Sequence, residues 1–97
     1  MQNILFIFPH NIALGKRIIK ARTRRDVTLD DVASAVGVAK STIQRYEHGK
    51  IQNIKIPVIH SIAKALDVNP SWIIGKSEDM DPLSLQFQQK PRLKIAF

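Results

Sequence analysis

Residues 29–48 constrain the fold of this chain more than any other stretch. Apolar side chains recur there three and four residues apart, on both sides of Gly37. Glycine takes a positive φ at no steric cost, so Gly37 permits a sharp bend, and the small Ala33 lets the flanking segments approach closely. The pattern predicts two short amphipathic helices joined by a tight turn. Their apolar positions are Val32, Ala33, Val36, Val38, Ile43 and Tyr46.

The second of these helices has a polar outer face. Its outward positions carry Lys40, Ser41, Thr42, Gln44 and Arg45. A tight interhelical turn followed by a helix with such a face is the layout of a DNA-recognising helix-turn-helix. Outside this motif the same side chains would be better explained as an ordinary solvated helix face.

Helix-start signals place the neighbouring helices. Asn11 is the expected N-cap of a first helix over 12–24, in which Gly15 costs about 1 kcal/mol relative to alanine. Thr28 and Asp31 form an acidic variant of the capping box, so the second helix begins at 29 and ends near 36–37. The third helix is expected over about 40–48, with Gly49 as its stop.

The second half of the chain predicts two more helices. Residues 50–56 alternate isoleucine with polar residues, and we interpret them as an ordered loop pinned by Ile51, Ile54 and Ile56 rather than as a strand. Pro57 suits the first turn of a fourth helix over 57–67, and Asn69-Pro70 opens a short fifth helix that Gly75 closes.

The charge of the chain favours a polyanionic partner. The formal net charge is +7 on 97 residues, and nucleic acid is the leading candidate, although charge for solubility alone is the alternative. Six cations fall within ten positions: Lys16, Arg17, Lys20, Arg22, Arg24 and Arg25. The absence of cysteine excludes disulfides, thiolate metal sites and cysteine nucleophiles together.

The two ends of the chain differ from the middle. Residues 1–10 are an apolar extension whose run at 4–8 is far shorter than the roughly 20 residues of a membrane span, and it lacks signal-peptide features. Residues 76–82 resemble a solvated linker, and 77–97 are expected to be a linker or tail. The middle part, 11–76, is the expected DNA-binding domain. We expect a protein of the bacterial cytoplasm, associated with the nucleoid.

Catalysis and metal binding find no support in the sequence. His10, His48 and His60 lack the spacing of metal ligands. Asp30 and Asp31 diverge by about 100° on a helix, so capping explains them better than a carboxylate pair. We expect no enzyme activity, no cofactor and no metal.

The chain resembles the lambda-repressor-like helix-turn-helix family, also called the Cro/repressor or xenobiotic-response-element type, over about residues 11–75. The matching residues are Thr28-Leu29, Asp31-Val32-Ala33, Gly37-Val38, Lys40-Ser41-Thr42-Ile43, Arg45-Tyr46-Glu47, Gly49, Ile62-Ala63-Lys64-Ala65-Leu66 and Trp72. The resemblance implies an all-α fold, a five-helix bundle with the helix-turn-helix at helices two and three.

The resemblance also implies which side chains contact DNA. The start of the third helix would meet base edges through Lys40, Ser41, Gln44 and Arg45, whose donors and acceptors suit guanine and adenine. The expected phosphate contacts are Thr28, Arg17, Thr42, Lys50 and Asn53.

Two further positions are interpreted through the family pattern. Relatives often carry glutamine where this chain has Leu29, so one phosphate contact is expected to be missing. Arg22 and Glu47 match an interhelical ion pair, which would orient the third helix.

The function expected is that of a sequence-specific transcriptional regulator of double-stranded DNA, a phage or mobile-element repressor that occludes its operator. A homodimer on a pseudo-palindromic operator would space its recognition helices about 34 Å apart. Two alternatives use the same fold: an antitoxin or other interaction module with a protein partner at 1–10 or 80–97, and a restriction-modification controller protein.

Overall fold

A computed structural model describes residues 9–82 of the chain, with side chains from residue 11 onward. This part contains five α-helices and no strand: α1 (Pro9–Arg25), α2 (Leu29–Val36), α3 (Lys40–Glu47), α4 (Ile56–Leu66) and α5 (Pro70–Ile73). The expected all-α bundle is confirmed, as is the placement of α2 and α3. The apolar run at 4–8 and the tail at 83–97 lie outside the described residues.

The helices pack around one apolar core. α1 packs against α3, α4 and α5, while α2 packs against α3 and α4. Trp72, at the end of the bundle, is buried in this core. The largest fully buried side chains are Ile18, Ile43, Ile59, Ile62, Leu66 and Ile73. Burying apolar surface of this kind is the main favourable contribution to folding.

The start of α1 corrects one sequence prediction. The helix begins at Pro9 rather than after Asn11, so Asn11 is not its N-cap. Proline is favoured in the first helical turn because its fixed φ suits a helix and its missing N–H has no partner there anyway. The side-chain amide of Asn11 instead donates to the carbonyl of Ile51, in the loop after α3.

The glycine in α1 marks a close approach between α1 and α3. A Cβ built at Gly15 would lie 2.2 Å from the Glu47 carbonyl oxygen and 2.6 Å from that of Tyr46. No side chain fits there, so the backbones of α1 and α3 meet directly. The residue that weakens α1 as an isolated helix therefore allows α3 to pack against it.

The connection from α3 to α4 is a loop, as the sequence indicated. Ile51 and Ile54 pack against the core. Ile56 does not pin the loop as expected, because it is the first residue of α4 and is 50% exposed. The helix begins one residue earlier than predicted, with Pro57 in its first turn.

Residues 76–82 fold back onto the domain instead of forming a solvated linker. The Asn69 N–H donates to the Met80 carbonyl at 2.9 Å, and Met80 packs against the core. Arg24 Nη1 lies 3.2 Å from Asp81 Oδ1, which joins this segment to α1. Charge and polarity suggested solvation, but an apolar methionine and a basic partner on α1 hold the segment in place.

Candidate nucleic-acid interface

The turn between α2 and α3 has the geometry of a helix-turn-helix. Gly37 ends α2 with φ 85° and ψ 31°, in the left-handed region where side chains are disfavoured. The N–H groups of Gly37 and Val38 both donate to the Ala33 carbonyl, at 2.8 and 3.1 Å. These bonds close the end of α2 and set the direction in which α3 leaves.

The outer face of α3 carries the residues expected to contact bases. Its inner face buries Ile43, Tyr46 and Glu47. Lys40, Ser41, Gln44 and Arg45 are all exposed. The packing of α3 therefore presents these four side chains together on one side, as a base-recognising helix requires.

The first turn of α3 has free hydrogen-bond donors. Ala39 provides no side-chain cap. Among the described residues, the N–H groups of Lys40 and Ser41 have no hydrogen-bond acceptor. Uncapped amides and the helix dipole favour an anion at this end.

The start of α2 likewise leaves the N–H groups of Leu29 and Asp30 without a hydrogen-bond acceptor among the described residues, but here a side chain caps the third N–H. Thr28 Oγ1 accepts from the Asp31 N–H at 3.0 Å, and the Thr28 N–H donates to Asp31 Oδ2 at 2.9 Å. The Thr28 main-chain N–H, and to a lesser degree the Thr28 hydroxyl beside the carboxylate, lower the pKa of Asp31 below its ordinary value of 3.8. The carboxyl groups of Asp30 and Asp31 lie beside Thr28 and disfavour a phosphate there, so this end is a poorer anion site than the start of α3.

An open groove of about 410 Å³ lies beside the C-terminal half of α3. Its apolar lining comes from Val38, Tyr46, Ile51 and Val58. Its polar lining has three cations and no carboxylate: Thr42, Arg45, Lys50, Gln52, Asn53 and Lys55. The groove brings one expected base-contacting residue, Arg45, together with three expected phosphate contacts, Thr42, Lys50 and Asn53.

Arg22 and Glu47 form the ion pair that joins α1 to α3. Arg22 Nε lies 2.7 Å from Glu47 Oε2, and Arg22 Nη2 lies 3.3 Å from Oε1. Their side chains are 22% and 5% exposed. Arg22 Nη1 also donates to the Val27 carbonyl at 3.2 Å. One guanidinium therefore fixes α3 against α1 and holds the chain just before α2.

The basic cluster of α1 is only partly available to a polyanion. Arg22, Arg24 and Arg25 face the carboxylates of Glu47, Asp81 and Asp67 respectively. Arg17 lies beside Gly75, because a Cβ built on Gly75 would be 3.4 Å from Arg17 Nη1. The face of α1 with Arg17 is nearly opposite the face with Gly15 that meets α3. The structure thus separates Arg17 from the other expected phosphate contacts.

Sequence reasoning missed four residues at this surface. Gln52 and Lys55 line the groove, and only their closeness to Asn53 in the chain hinted at it. Asn11 and Tyr46 hydrogen-bond to the loop that carries Lys50 and Asn53. Asn11 looked like a helix cap and Tyr46 like an apolar core residue, so neither hydrogen bond had a local signal.

Neither a metal-holding cluster nor a membrane-spanning helix is found in the described part of the chain. No group of three or more histidine, aspartate or glutamate side chains in this range could hold a metal ion. No helix in the described part of the chain is long and apolar enough to cross a membrane.

The fold and this surface are those of a DNA-binding helix-turn-helix protein. A helix-turn-helix family model matches residues 18–73, more than half of the chain. The chain belongs to this family, the Cro/C1-type helix-turn-helix. The family is one of DNA-binding transcriptional regulators and is not an enzyme class.

One curated relative and two solved structures are similar to this chain. The HTH-type transcriptional regulator KdgR of Bacillus subtilis is 42% identical over 48 residues, 50% of this chain and 14% of KdgR, so only a small part of KdgR is matched. The restriction-modification controller protein C.AhdI from Aeromonas hydrophila is 24% identical with a TM-score of 0.64, covering 68% of this chain and 98% of that one.

The complex of the SinR and SinI proteins is similar at the level of the fold. The matched chain is 24% identical with a TM-score of 0.61, and the match covers 84% of this chain and 80% of that one. These two likenesses establish the shared fold.

Proposed function

We propose that this chain is a sequence-specific repressor of transcription, of the phage or mobile-element type, which binds double-stranded DNA and occludes its operator. The observation that carries the proposal is the exposed polar face of α3, continuous through Arg45 with a groove that has three cations and no carboxylate. A base-recognising face beside a phosphate-binding surface is what sequence-specific binding requires.

The proposed base contacts follow from side-chain chemistry. Lys40 and Arg45 donate to guanine O6 and N7, Gln44 bonds adenine through its amide, and Ser41 donates to or accepts from either. These contacts supply sequence preference.

Phosphate contacts supply affinity and position the domain on the duplex. Thr42, Lys50 and Asn53 provide them from the groove, and the free amides at the start of α3 add to them. Thr28 and Arg17 are weaker candidates, since Asp31 already hydrogen-bonds to Thr28 and Arg17 lies beside Gly75, midway along α1.

Occlusion by a homodimer explains how a domain of this size would regulate a promoter. Two copies on a pseudo-palindromic operator place two α3 helices in successive major grooves, about 34 Å apart. The protein would act in the bacterial cytoplasm, on the nucleoid.

The decisive experiment begins with selection of bound sequences from a random pool of duplexes. The selected duplex and a scrambled duplex of equal composition are then compared by fluorescence anisotropy at physiological salt. The double variant Lys40→Ala/Arg45→Ala should lose most of the discrimination, roughly 30- to 20,000-fold for two bidentate contacts.

A matched control removes the same charge elsewhere. Lys64→Ala/Lys76→Ala changes two exposed lysines that line no part of the groove, so discrimination should be retained. Unchanged discrimination in the Lys40/Arg45 variant, or no binding of any duplex by the unmodified chain, rules out the proposed readout.

A controller of a restriction-modification system is the second candidate. The match to C.AhdI covers 98% of that controller's chain, so one domain of this fold suffices for a protein so named. Transcription in vitro from a promoter carrying the selected site separates the candidates: repression alone supports the first, and activation at low protein concentration supports the second.

A further inference from the structure

The loop between α3 and α4, residues 50–55, has few hydrogen bonds within its own main chain. In the described part of the chain, the main chain of residues 51–54 forms one hydrogen bond, from the Asn11 side-chain amide to the Ile51 carbonyl. The next N–H along, that of Lys55, donates to Tyr46 Oη over 3.4 Å. Two side chains from α1 and α3 therefore hold the loop at its two ends.

Neither side chain is needed for the helix that carries it. Asparagine inside α1 favours the helix less than alanine would. The ring of Tyr46 is buried in the core, and phenylalanine would fill the same space without the hydroxyl. What the Asn11 amide and the Tyr46 hydroxyl have in common is the loop that they contact.

That loop contributes much of the cationic groove. Lys50, Gln52, Asn53 and Lys55 all line it. A loop with few main-chain hydrogen bonds, attached to the core only through Ile51 and Ile54, would have to be ordered further when it binds a ligand, and ordering costs affinity. Holding the loop before binding removes part of that cost.

We propose that Asn11 and Tyr46 are positioning residues that hold the 50–55 loop as a pre-formed binding site for a backbone phosphate of DNA. The inference rests on the proposed function and deepens it by naming what shapes the phosphate-binding surface. Since a phosphate carries no sequence information, loss of either residue weakens binding to every duplex alike.

The test uses the full chain with the selected duplex and a scrambled duplex of equal length, over a range of potassium chloride concentrations. Asn11→Ala should weaken binding to both by roughly threefold to tenfold, less than removal of a whole charge-assisted hydrogen bond would. The slope of log K against log salt should become shallower by up to about 0.9 for each phosphate that the loop no longer neutralises. Tyr46→Phe should have a smaller effect, because its hydrogen bond is 3.4 Å long.

Two further variants distinguish positioning from general destabilisation. Ser61→Ala, an uncharged change at an exposed site on α4 outside the groove, should leave affinity and slope unchanged. In a Lys50→Ala background, Asn11→Ala should cost less than it does alone, because the side chain that it positions has already been removed.

Each outcome bears on one level of the proposal. A uniform loss of affinity with a shallower slope, while the chain stays folded at the assay temperature by circular dichroism, supports the inference. If Lys50→Ala weakens binding but Asn11→Ala and Tyr46→Phe do not, the positioning role is wrong and the proposed function stands. A loss of affinity in these variants that is confined to the selected duplex also overturns the inference. Failure of the unmodified chain to bind any duplex overturns the proposed function itself.

Discussion

Two physical effects predict opposite changes in stability when Gly15 is replaced by alanine. Within an isolated helix, alanine is favoured over glycine by about 1 kcal/mol. In the folded protein, the new Cβ would lie 2.2 Å from the Glu47 carbonyl oxygen and 2.6 Å from the Tyr46 carbonyl oxygen. The obstacle is backbone, which cannot rotate away as a side chain would. We therefore expect the packing clash to outweigh the helix preference and the variant to be less stable.

The magnitude follows from the distance that the helices must separate. A carbon and an oxygen are in comfortable contact only above about 3.2 Å, so α3 must move away from α1 by roughly 1 Å. Overpacking of this kind costs about 1–3 kcal/mol, and a backbone obstacle places it near the upper end. Subtracting the helix preference leaves a net loss of about 2 kcal/mol, which lowers Tm by roughly 8–16 °C for a domain of this size.

Thermal and urea unfolding, followed by circular dichroism at 222 nm, measure this loss. Lys16, the next residue in α1, is exposed and reports helix preference alone. Lys16→Gly should therefore be less stable than Lys16→Ala by about 1 kcal/mol. A Gly15→Ala variant as stable as the unmodified chain, or more so, refutes the argument that α3 packs against α1 through this glycine.

Further variants address three features that position α3: the ion pair, the capping box and the turn glycine. Arg22→Met should lower the free energy of unfolding by about 3 kcal/mol because it leaves the buried Glu47 carboxylate without its partner. The double variant Arg22→Met/Glu47→Leu should recover much of that loss in urea unfolding. Equal losses of stability in the single and the double variant would contradict this. Thr28→Ala should lower the free energy of unfolding by about 1 kcal/mol because the N-cap of α2 is lost. Because the folded state lowers the pKa of Asp31, its carboxylate stabilises the fold above pH 3.8 and this contribution disappears as pH falls below that value. Asp31→Asn should thus destabilise at pH 7 but converge with the unmodified chain in acid, and a difference that grows in acid would oppose the assignment. Gly37→Ala should lower the free energy of unfolding by about 1–2 kcal/mol because of the positive φ alone, since a Cβ there meets nothing within 4 Å. A larger loss of stability in thermal unfolding would indicate a missed contact.

The helices themselves could be predicted because their signals are local. Thr28 and Asp31 lie one turn apart, and the structure shows both reciprocal bonds of their capping box. Gly37 and the apolar positions around it act within the same two turns of chain. Start and end positions were therefore accurate for α2, α3 and α5. The error at Asn11 arose because a good capping residue was preceded by a proline that is equally suited to the first turn.

The candidate site could be predicted where it depends on one helix and not where it depends on several. The exposure of Lys40, Ser41, Gln44 and Arg45 follows from the apolar periodicity of α3 alone. The grouping of Arg45 with Lys50 and Lys55 around one groove depends on how the loop returns past α3. The same holds for Arg17, which periodicity placed on a basic face without indicating that α5 lies beside that face.

The sequence by itself determined the five helices, the sharp turn at Gly37 and the polar outer face of α3. Each depends on capping and periodicity among residues within a turn or two of one another. Only the tertiary structure decided that Gly15 is a contact point rather than a defect, and that Asn11 holds a loop rather than caps a helix. It also decided that residues 76–82 return to the domain. These outcomes depend on partners that are far away in the chain, and relative helix placement, which periodicity does not encode, brings those partners into contact.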